Sequence, residues 1–284
     1  MAVHNETNRG TNIGTDVEFE LRSGDGRRLA ASYRPVGGKP AADVPAVLLL
    51  HGFLSDRHAG GRFDRLTRTY HQTGIAVLRI DLSGFGESDG DVIDGDDLLA
   101  DAHTALDHLD ERGHRVQAVH GQSLGSSIAL RVAPHRPAVH TLVLTGALTG
   151  GASGDRPYPF LTDEQVQDWY RNRDVHLLIT GSSRRSAVTV NRTRPKLGAT
   201  GTQRDLLTAV DVPVLVVHGD TGDQERRLAG ITRAGRHWLP AGSEFVTIPG
   251  ADHTFNDHRP ELDALVRPWA TRHLLAAAGT LARR

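Results

Sequence analysis

The sequence predicts an α/β fold: a mostly parallel central sheet with helices on both faces, opened by an antiparallel hairpin and interrupted by an insertion over the sheet's upper edge. Three observations carry this. Short continuous apolar runs recur as "PAVLLLHG", "GIAVLRIDL", "VQAVHG", "HTLVLTG", "VPVLVVHG" and "EFVTIPG", the pattern of strands buried on both faces. Segments of helical periodicity lie between them, and such alternation argues for a parallel sheet whose ligands bind beyond the carboxyl ends of the strands. Near the N-terminus, "VEFELRSGDGRRLAASYRP" has two alternating stretches around Ser23-Gly24-Asp25-Gly26. That reads as a hairpin, with Phe19 and Leu21 on one side and glycines to accept the turn's positive φ.

The clearest helix runs from 94 to 112, where Leu98, Leu99, Ala102, Ala105, Leu106 and Leu109 make one apolar stripe. The C-terminal "PELDALVRPWATRHLLAAAGTLA" reads as a closing helix bent or restarted near Pro268. From Gly150 to Leu207 the strand-helix beat breaks into a polar, arginine-rich stretch. The expected organisation is a flexible N-terminus over 1–15, a core over 16–149 and 208–284, and a lid over 150–207. The lid carries Arg171, Arg173, Arg184, Arg185, Arg192, Arg194 and Lys196. Arginine forks suit carboxylate or phosphate recognition, but a solvated surface balanced by nearby acids is the preferred reading. Trp169 and Tyr170 either wall a pocket or hold the lid down.

Composition narrows the chemistry. With no cysteine among 284 residues, disulfides, thiolate metal sites and a cysteine nucleophile are excluded. A formal net charge of −1, from 33 basic and 34 acidic residues spread along the chain, gives no footprint for nucleic acid or an anionic membrane. The polar start "MAVHNETNRGTNIGT" lacks the cationic and apolar parts of a signal peptide, and no later run reaches spanning length. The expectation is a soluble cytoplasmic protein, monomer or homodimer, acting on a small molecule without metal or organic cofactor.

Gly121-Gln122-Ser123-Leu124-Gly125 fits G-x-S-x-G, with strand-like "VQAVH" before it and helix-like "SSIALRVA" after it. A sharp strand-to-helix turn lifts the serine in a strained conformation, and a Cβ two residues to either side would collide with neighbouring backbone. The new helix aims its free N–H groups at an oxyanion. A serine needs a base, and such turns order their triad serine, acid, histidine along the chain. His253, in "IPGADHTF", follows the last strand-like run. His103, His108 and His273 ride helices and are read as surface or packing residues, while His51 and His218 are read as braces for loops beside the site. The acid is expected after "VPVLVVHG", at Asp220 or Asp223. "HGF" at 51–53 ends an earlier strand, so the Phe53 N–H pairs with that of Leu124 as the expected oxyanion hole; the Phe53 side chain could equally be a pocket wall.

With these residues assembled, the chain resembles the α/β-hydrolase family, and within it bacterial cinnamoyl or feruloyl esterases and serine aminopeptidase-like hydrolases. The matching motifs are "LLLHGF" (48–53), "RIDLSGFGESDG" (79–90), "GQSLG" (121–125), "VLVVHGD" (214–220) and "IPGADHTF" (248–255), in order over residues 17–275. The resemblance implies the α/β-hydrolase fold, Ser123 as nucleophile, His253 as base, the Phe53 and Leu124 amides as oxyanion donors, and a lid between the sixth strand and the acid strand. Asp81 and its following glycines support the site's architecture. One departure stands out: the family's acid is the fifth residue of "HGxxD", which here is Gly222. Asp223, displaced by one residue, is the expected acid, ahead of Asp220.

These features imply a serine hydrolase of the carboxylesterase or thioesterase type, cleaving carboxylic esters or thioesters of a small organic acid through an acyl-enzyme on Ser123. An acyltransferase or cyclase would use the same acyl-enzyme with an acceptor other than water. A non-catalytic ligand-binding protein on this fold is the reading from another class, and the altered acid loop is its only support.

Overall fold

A computed structural model describes residues 15–150, 161–179, 183, 185–194, 197 and 201–282. Thus the expected flexible N-terminus, apart from Thr15, lies outside the described residues. Among those described, the chain forms an eight-stranded sheet and a separate two-stranded one.

The hairpin is β1 (Val17–Arg22) and β2 (Arg28–Arg34), antiparallel, with Leu21 opposite Leu29. Its turn closes with the Gly26 N–H donating to the Ser23 carbonyl at 2.8 Å, and Gly26 takes φ +89°. The six apolar runs are the six parallel strands: β3 (Ala46–Leu50), β4 (Ala76–Ile80), β5 (Gln117–Gln122), β6 (Val139–Thr145), β9 (Val214–Gly219) and β10 (Glu244–Ile248). Strand order is β1-β2-β4-β3-β5-β6-β9-β10, with β2 antiparallel to β4.

Side chains alternate across this sheet because a strand has a period of two. Leu48, Leu50, Val119, Leu142, Leu144 and Val216 enter one core, beneath α2 (Gly95–Glu111) and α3 (Leu124–Val132). Val47, Leu49, Ala118, Val143, Leu215 and Val217 enter the other, against α1 (Arg62–Gln72) and α7 (Arg259–Ala270). With apolar partners on both faces these strands need no polar side, which is why they read as continuous runs; β10 differs from the expectation, since it is an edge strand with four of its five residues half-buried. Each leucine or valine among these core side chains contributes about 1.5–3 kcal/mol of burial. The Asp94 carboxylate accepts from the Asp96 N–H and caps α2.

The C-terminal helix passes through Pro268 without breaking and changes instead just beyond it, into a π turn over Thr271–Leu275 and then α8 (Ala276–Leu281). Trp269 anchors that stretch, buried, with its indole N–H donating to Thr141 Oγ1 at 2.9 Å. The expected bend is therefore a change of helical pitch.

Between β6 and β9 the described residues form α4 (Asp163–Tyr170), the antiparallel pair β7 (Val175–Leu178) and β8 (Ala187–Val190), and α5 (Gln203–Thr208). Thr162 and Gln165 make a reciprocal capping box on α4. Trp169, Val175, Leu177, Val188 and Val190 point into the main core, and Leu178 points out. The Ile93 N–H donates to the Thr189 carbonyl at 2.8 Å, tying this segment to the loop region after β4. Arg185 reinforces the tie by donating to the carbonyls of Gly90 (2.8 Å) and Ser88 (2.6 Å). Arg173 pairs with Asp168, Arg194 with Asp94, and Arg192 lies over the Tyr170 ring. Arg184 and Lys196 lie outside the described residues. Trp169 is buried and Tyr170 half exposed, so the first of the two holds the segment down. No helix among the described residues is long and apolar enough to cross a membrane.

Candidate active site

The loops beyond the carboxyl ends of β3, β5, β6, β9 and β10 meet around Ser123. Between the end of β5 and the start of α3, Ser123 alone makes the turn, with φ 51° and ψ −112°. Such a conformation strains an L-residue and survives only where its surroundings over-determine it. Here the surroundings are backbone. A Cβ on Gly121 would lie 2.3 Å from the Gly125 carbonyl oxygen, and one on Gly125 would lie 2.0 Å from the Leu50 carbonyl oxygen. The Ser123 N–H donates to the Thr145 carbonyl at 2.9 Å, and Ser126 Oγ donates to the Ser123 carbonyl at 2.5 Å. Gly125→Ala is therefore expected to destabilise the fold by at least about 1–3 kcal/mol, since α3 must back away from β3. Denaturant unfolding would measure it, and an unchanged midpoint would contradict this account of the turn.

Ser123 Oγ lies 2.9 Å from His253 Nε2. Gly146, after β6 and at φ +55°, leaves room for the imidazole, because a Cβ there would come 2.8 Å from the His253 ring. On its other side His253 Nδ1 lies 2.5 Å from a carboxylate oxygen, and that carboxylate is Glu225.

This corrects the expected acid. Asp223 is the first residue of α6 (Asp223–Gly235); its side chain is fully exposed and pairs with Arg226 at 2.6 Å. Asp220 is also turned elsewhere, its Oδ1 accepting the Gly250 N–H at 2.7 Å to join the loops after β9 and β10. The cause is helical phase. Gly219 ends β9, Asp220 and Thr221 lead outward, and Gly222, at φ +84°, precedes α6, with Asp223 on the outer face. Two residues further on, about 200° round the helix, Glu225 faces inward and is 1% exposed. The signal was present in the sequence: Glu225, Ala229 and Thr232 fall at i, i+4 and i+7, and all three are buried.

Glu225 holds more than one donor. Its Oε1 accepts the Gly219 N–H at 3.0 Å and His218 Nδ1 at 2.7 Å. Burial pushes the Glu225 carboxyl up, but hydrogen bonds from His218 and His253 outweigh it and hold the group at about 2. His218 is fully buried. Its Nε2 meets Thr232 Oγ1 at 3.2 Å, Thr232 meets Thr149 Oγ1 at 2.9 Å, and Gln203 Nε2 donates to Thr149 Oγ1 at 3.1 Å. Read from Gln203 inward, one consistent sense runs from amide to hydroxyl, from hydroxyl to hydroxyl, and from hydroxyl to His218 Nε2. Its Nδ1–H is then left for Glu225. His218 thus braces the acid itself rather than a loop.

The loop after β3 lies against the serine, since a Cβ on Gly52 would be 3.2 Å from Ser123 Cβ. The next amide in the chain is that of Phe53, whose ring packs edge-on against Phe85 with centroids 5.4 Å apart. Leu124, at the first position of α3, has an N–H with no intrahelical acceptor. His51 Nδ1 donates to the Gly52 carbonyl at 2.8 Å and its Nε2 accepts the Leu82 N–H at 3.1 Å, which joins the loops after β3 and β4. Asp81 accepts from the Arg57 N–H (2.6 Å), the Arg57 guanidinium (2.5 Å) and the Glu87 N–H (2.8 Å). Gly86 makes space for that carboxylate, because a Cβ there would fall 2.2 Å from it. Of the three helix-borne histidines, His108 is buried and His103 and His273 are half-buried, and all lie on α2 or the C-terminal helix. No cluster of three or more metal-ligating side chains occurs among the described residues.

Residues 42–196, more than half of the chain, match the family model described as serine aminopeptidase, S33. An uncharacterized protein of Mycobacterium tuberculosis (strain ATCC 25618 / H37Rv) is 28% identical over 269 residues, covering 89% of this chain and 78% of its own. A 2-hydroxy-6-oxononadienedioate/2-hydroxy-6-oxononatrienedioate hydrolase of Burkholderia vietnamiensis is 30% identical over 149 residues, 52% of this chain and half of its own length. Among solved structures, Est1E from Butyrivibrio proteoclasticus with ferulic acid bound superposes with a TM-score of 0.70 at 20% identity, covering 89% of this chain and 98% of its own. DcsB in complex with its substrate analogue does so with a TM-score of 0.75 at 15% identity, covering 92% and 100%. Both structural likenesses establish the fold. Taken with the family match, they place the chain in the serine aminopeptidase S33 family of α/β hydrolases.

Proposed function

We propose that this hydrolase-family protein is a serine hydrolase that cleaves carboxylic esters or thioesters of a small organic acid through an acyl-enzyme on Ser123. The observation that carries the reading is the relay from Ser123 Oγ to His253 at 2.9 Å and from His253 to Glu225 at 2.5 Å, at a strained strand-to-helix turn. Ser123 Oγ attacks the carbonyl carbon as its proton passes to His253 Nε2. The Phe53 and Leu124 amides hold the resulting oxyanion. Collapse expels the alcohol or thiol, which takes the proton from His253. Water then attacks the acyl-enzyme, giving its proton to the same nitrogen, and the acid leaves as Ser123 regains its proton. Glu225 keeps the Nδ1–H tautomer of His253 and offsets the imidazolium charge.

The 2-hydroxy-6-oxononadienedioate hydrolase and the ferulic acid bound to Est1E supply precedents for small organic acids. A carboxylate in contact with His253, that of Glu225, supports the catalytic reading over a non-catalytic binder. The test is intact mass after incubation with a fluorophosphonate, followed by a tryptic map, with a short-chain p-nitrophenyl ester assay alongside. One adduct on Ser123 with ester turnover is expected. A folded sample with neither adduct nor turnover would sink the reading.

A further inference from the structure

In this nearly neutral chain, buried arginines are as a rule matched by carboxylates. Arg57, 7% exposed, pairs with Asp81, Glu18 and Glu87. Arg79, 1% exposed, pairs with Asp16 and Asp64. Arg62 and Arg259, half-buried, are built differently. They are the first residues of α1 and α7, where the positive end of the helix dipole disfavours a cation. They also reach toward each other: Arg62 Nη1 and Arg259 Nη2 both donate to Asn256 Oδ1, at 3.4 and 3.2 Å. The second Arg62 amino group donates to Gln122 Oε1 at 3.2 Å.

Both acceptors are neutral, and no carboxylate of the described residues lies within ion-pairing distance of either guanidinium. The Nε atoms of both arginines are buried with no hydrogen-bond partner, which leaves the desolvation of each donor uncompensated. Burial and then the like charge of Arg259 lower the Arg62 pKa, and the opposing pull of Asp252 and Asp56, neither of them in ion-pair contact, does not outweigh them. The nearest acids are committed elsewhere. Asp263 lines the same cleft but holds Arg65 at 2.7 Å and Thr69 at 2.9 Å. Asp252 accepts from the Thr254 and Phe255 N–H groups at 2.9 and 2.8 Å.

The two guanidiniums line a small cleft, open to solvent, together with Gln122 and Thr254. These two residues are the chain neighbours of Ser123 and His253. We propose that Arg62 and Arg259 form an anion-binding site in this cleft, taking a carboxylate or phosphate group close to the serine–histidine pair. Two convergent arginine forks are the donor set such a group requires, and an anion would replace the shared Asn256 oxygen as their common partner. The anion is either a group on the substrate or a free ion. The substrate source rests on the hydrolase reading; the site does not.

Two measurements separate these. In the first, thermal unfolding is followed with inorganic phosphate against chloride at equal ionic strength. Phosphate is expected to raise the wild-type midpoint by about 2–4 °C and to leave the Arg62→Gln/Arg259→Gln double variant unmoved. Without phosphate and at low salt, Arg259→Gln is expected to melt at or above wild type, since it relieves like-charge repulsion; an ordinary structural arginine would melt lower. In the second, kcat/KM is compared for the p-nitrophenyl monoester of succinate and the neutral p-nitrophenyl butyrate. A substrate-borne anion predicts that the succinate-to-butyrate ratio falls at least about ten-fold in the double variant, through KM. A phosphate shift with an unchanged ratio supports the site with a free anion as its ligand. Absence of both the phosphate shift and the ratio change overturns the proposal. Loss of turnover on both esters in the wild type would count against the hydrolase reading alone, because the phosphate arm needs no catalysis.

Discussion

Ser123→Ala is expected to lower kcat on any ester substrate by roughly a million-fold, the size of loss seen when a serine hydrolase loses its nucleophile, while the folded state persists. The fold should survive because little of the turn depends on the hydroxyl: the Ser123 N–H bond to Thr145 and the Ser126 bond to the Ser123 carbonyl both use backbone atoms of residue 123. The φ of 51° remains in the alanine variant, and a residue held in such a region carries of order 1–3 kcal/mol of strain. Ser123→Gly releases that strain at an entropic cost of about 0.5–1 kcal/mol, so it is expected to unfold at higher denaturant than Ser123→Ala and to be equally inactive. Rates on a p-nitrophenyl ester and the two unfolding midpoints check this. An alanine variant with a rate within ten-fold of wild type would remove Ser123 from the chemistry.

Glu225→Gln is expected to lower kcat by roughly 10⁴-fold, the scale on which serine proteases respond to loss of their triad carboxylate. The amide cannot do what the carboxylate does. Glu225 accepts from His253 Nδ1, His218 Nδ1 and the Gly219 N–H, whereas a glutamine has one acceptor oxygen, and its NH₂ must confront one of those donors. Asp223→Asn, at the position sequence alone favours, is expected to stay within about two-fold, because an exposed ion pair such as Asp223–Arg226 contributes little. If Asp223→Asn were the crippling change and Glu225→Gln the mild one, the relay proposed for this site would be wrong.

The same carboxylate predicts a pH dependence of stability. Glu225 is depressed from its ordinary value of 4.5 to about 2. A depressed carboxylate stabilises the fold above its unfolded pKa, and that contribution is lost as pH falls toward the folded one. The stability gap between wild type and Glu225→Gln should therefore be full at neutral pH and close between about 4.5 and 2. The comparison isolates Glu225 from Asp25 and Asp64, which are also depressed to about 2 and are common to both proteins. Denaturant unfolding at stepped pH measures the gap, and a constant gap would show that the hydrogen bonds to Glu225 do not hold its charge.

Most of the frame could be read from residue order, because the features that specify it are local. A strand buried on both faces must be apolar throughout, so six runs announced six strands, and the hairpin announced itself by its glycines. The G-x-S-x-G turn is legible for the same reason: its glycines answer clashes within one short stretch and with the strand beside it. His253 could be placed because it follows the last strand. The acid could not be placed by counting from "HG". Which carboxylate faces inward depends on where α6 begins, and a one-residue change in that start rotates every side chain by about 100°. Asp223 is the nearer carboxylate along the chain, but it faces solvent while Glu225 meets His253. The same limit hid the buried line from His218 through Thr232 and Thr149 to Gln203, and the convergence of Arg62 with Arg259. These partners lie on different elements, far apart in the chain. The sheet's parallel order alone brings the ends of those elements together, so composition and periodicity carry no trace of the pairing.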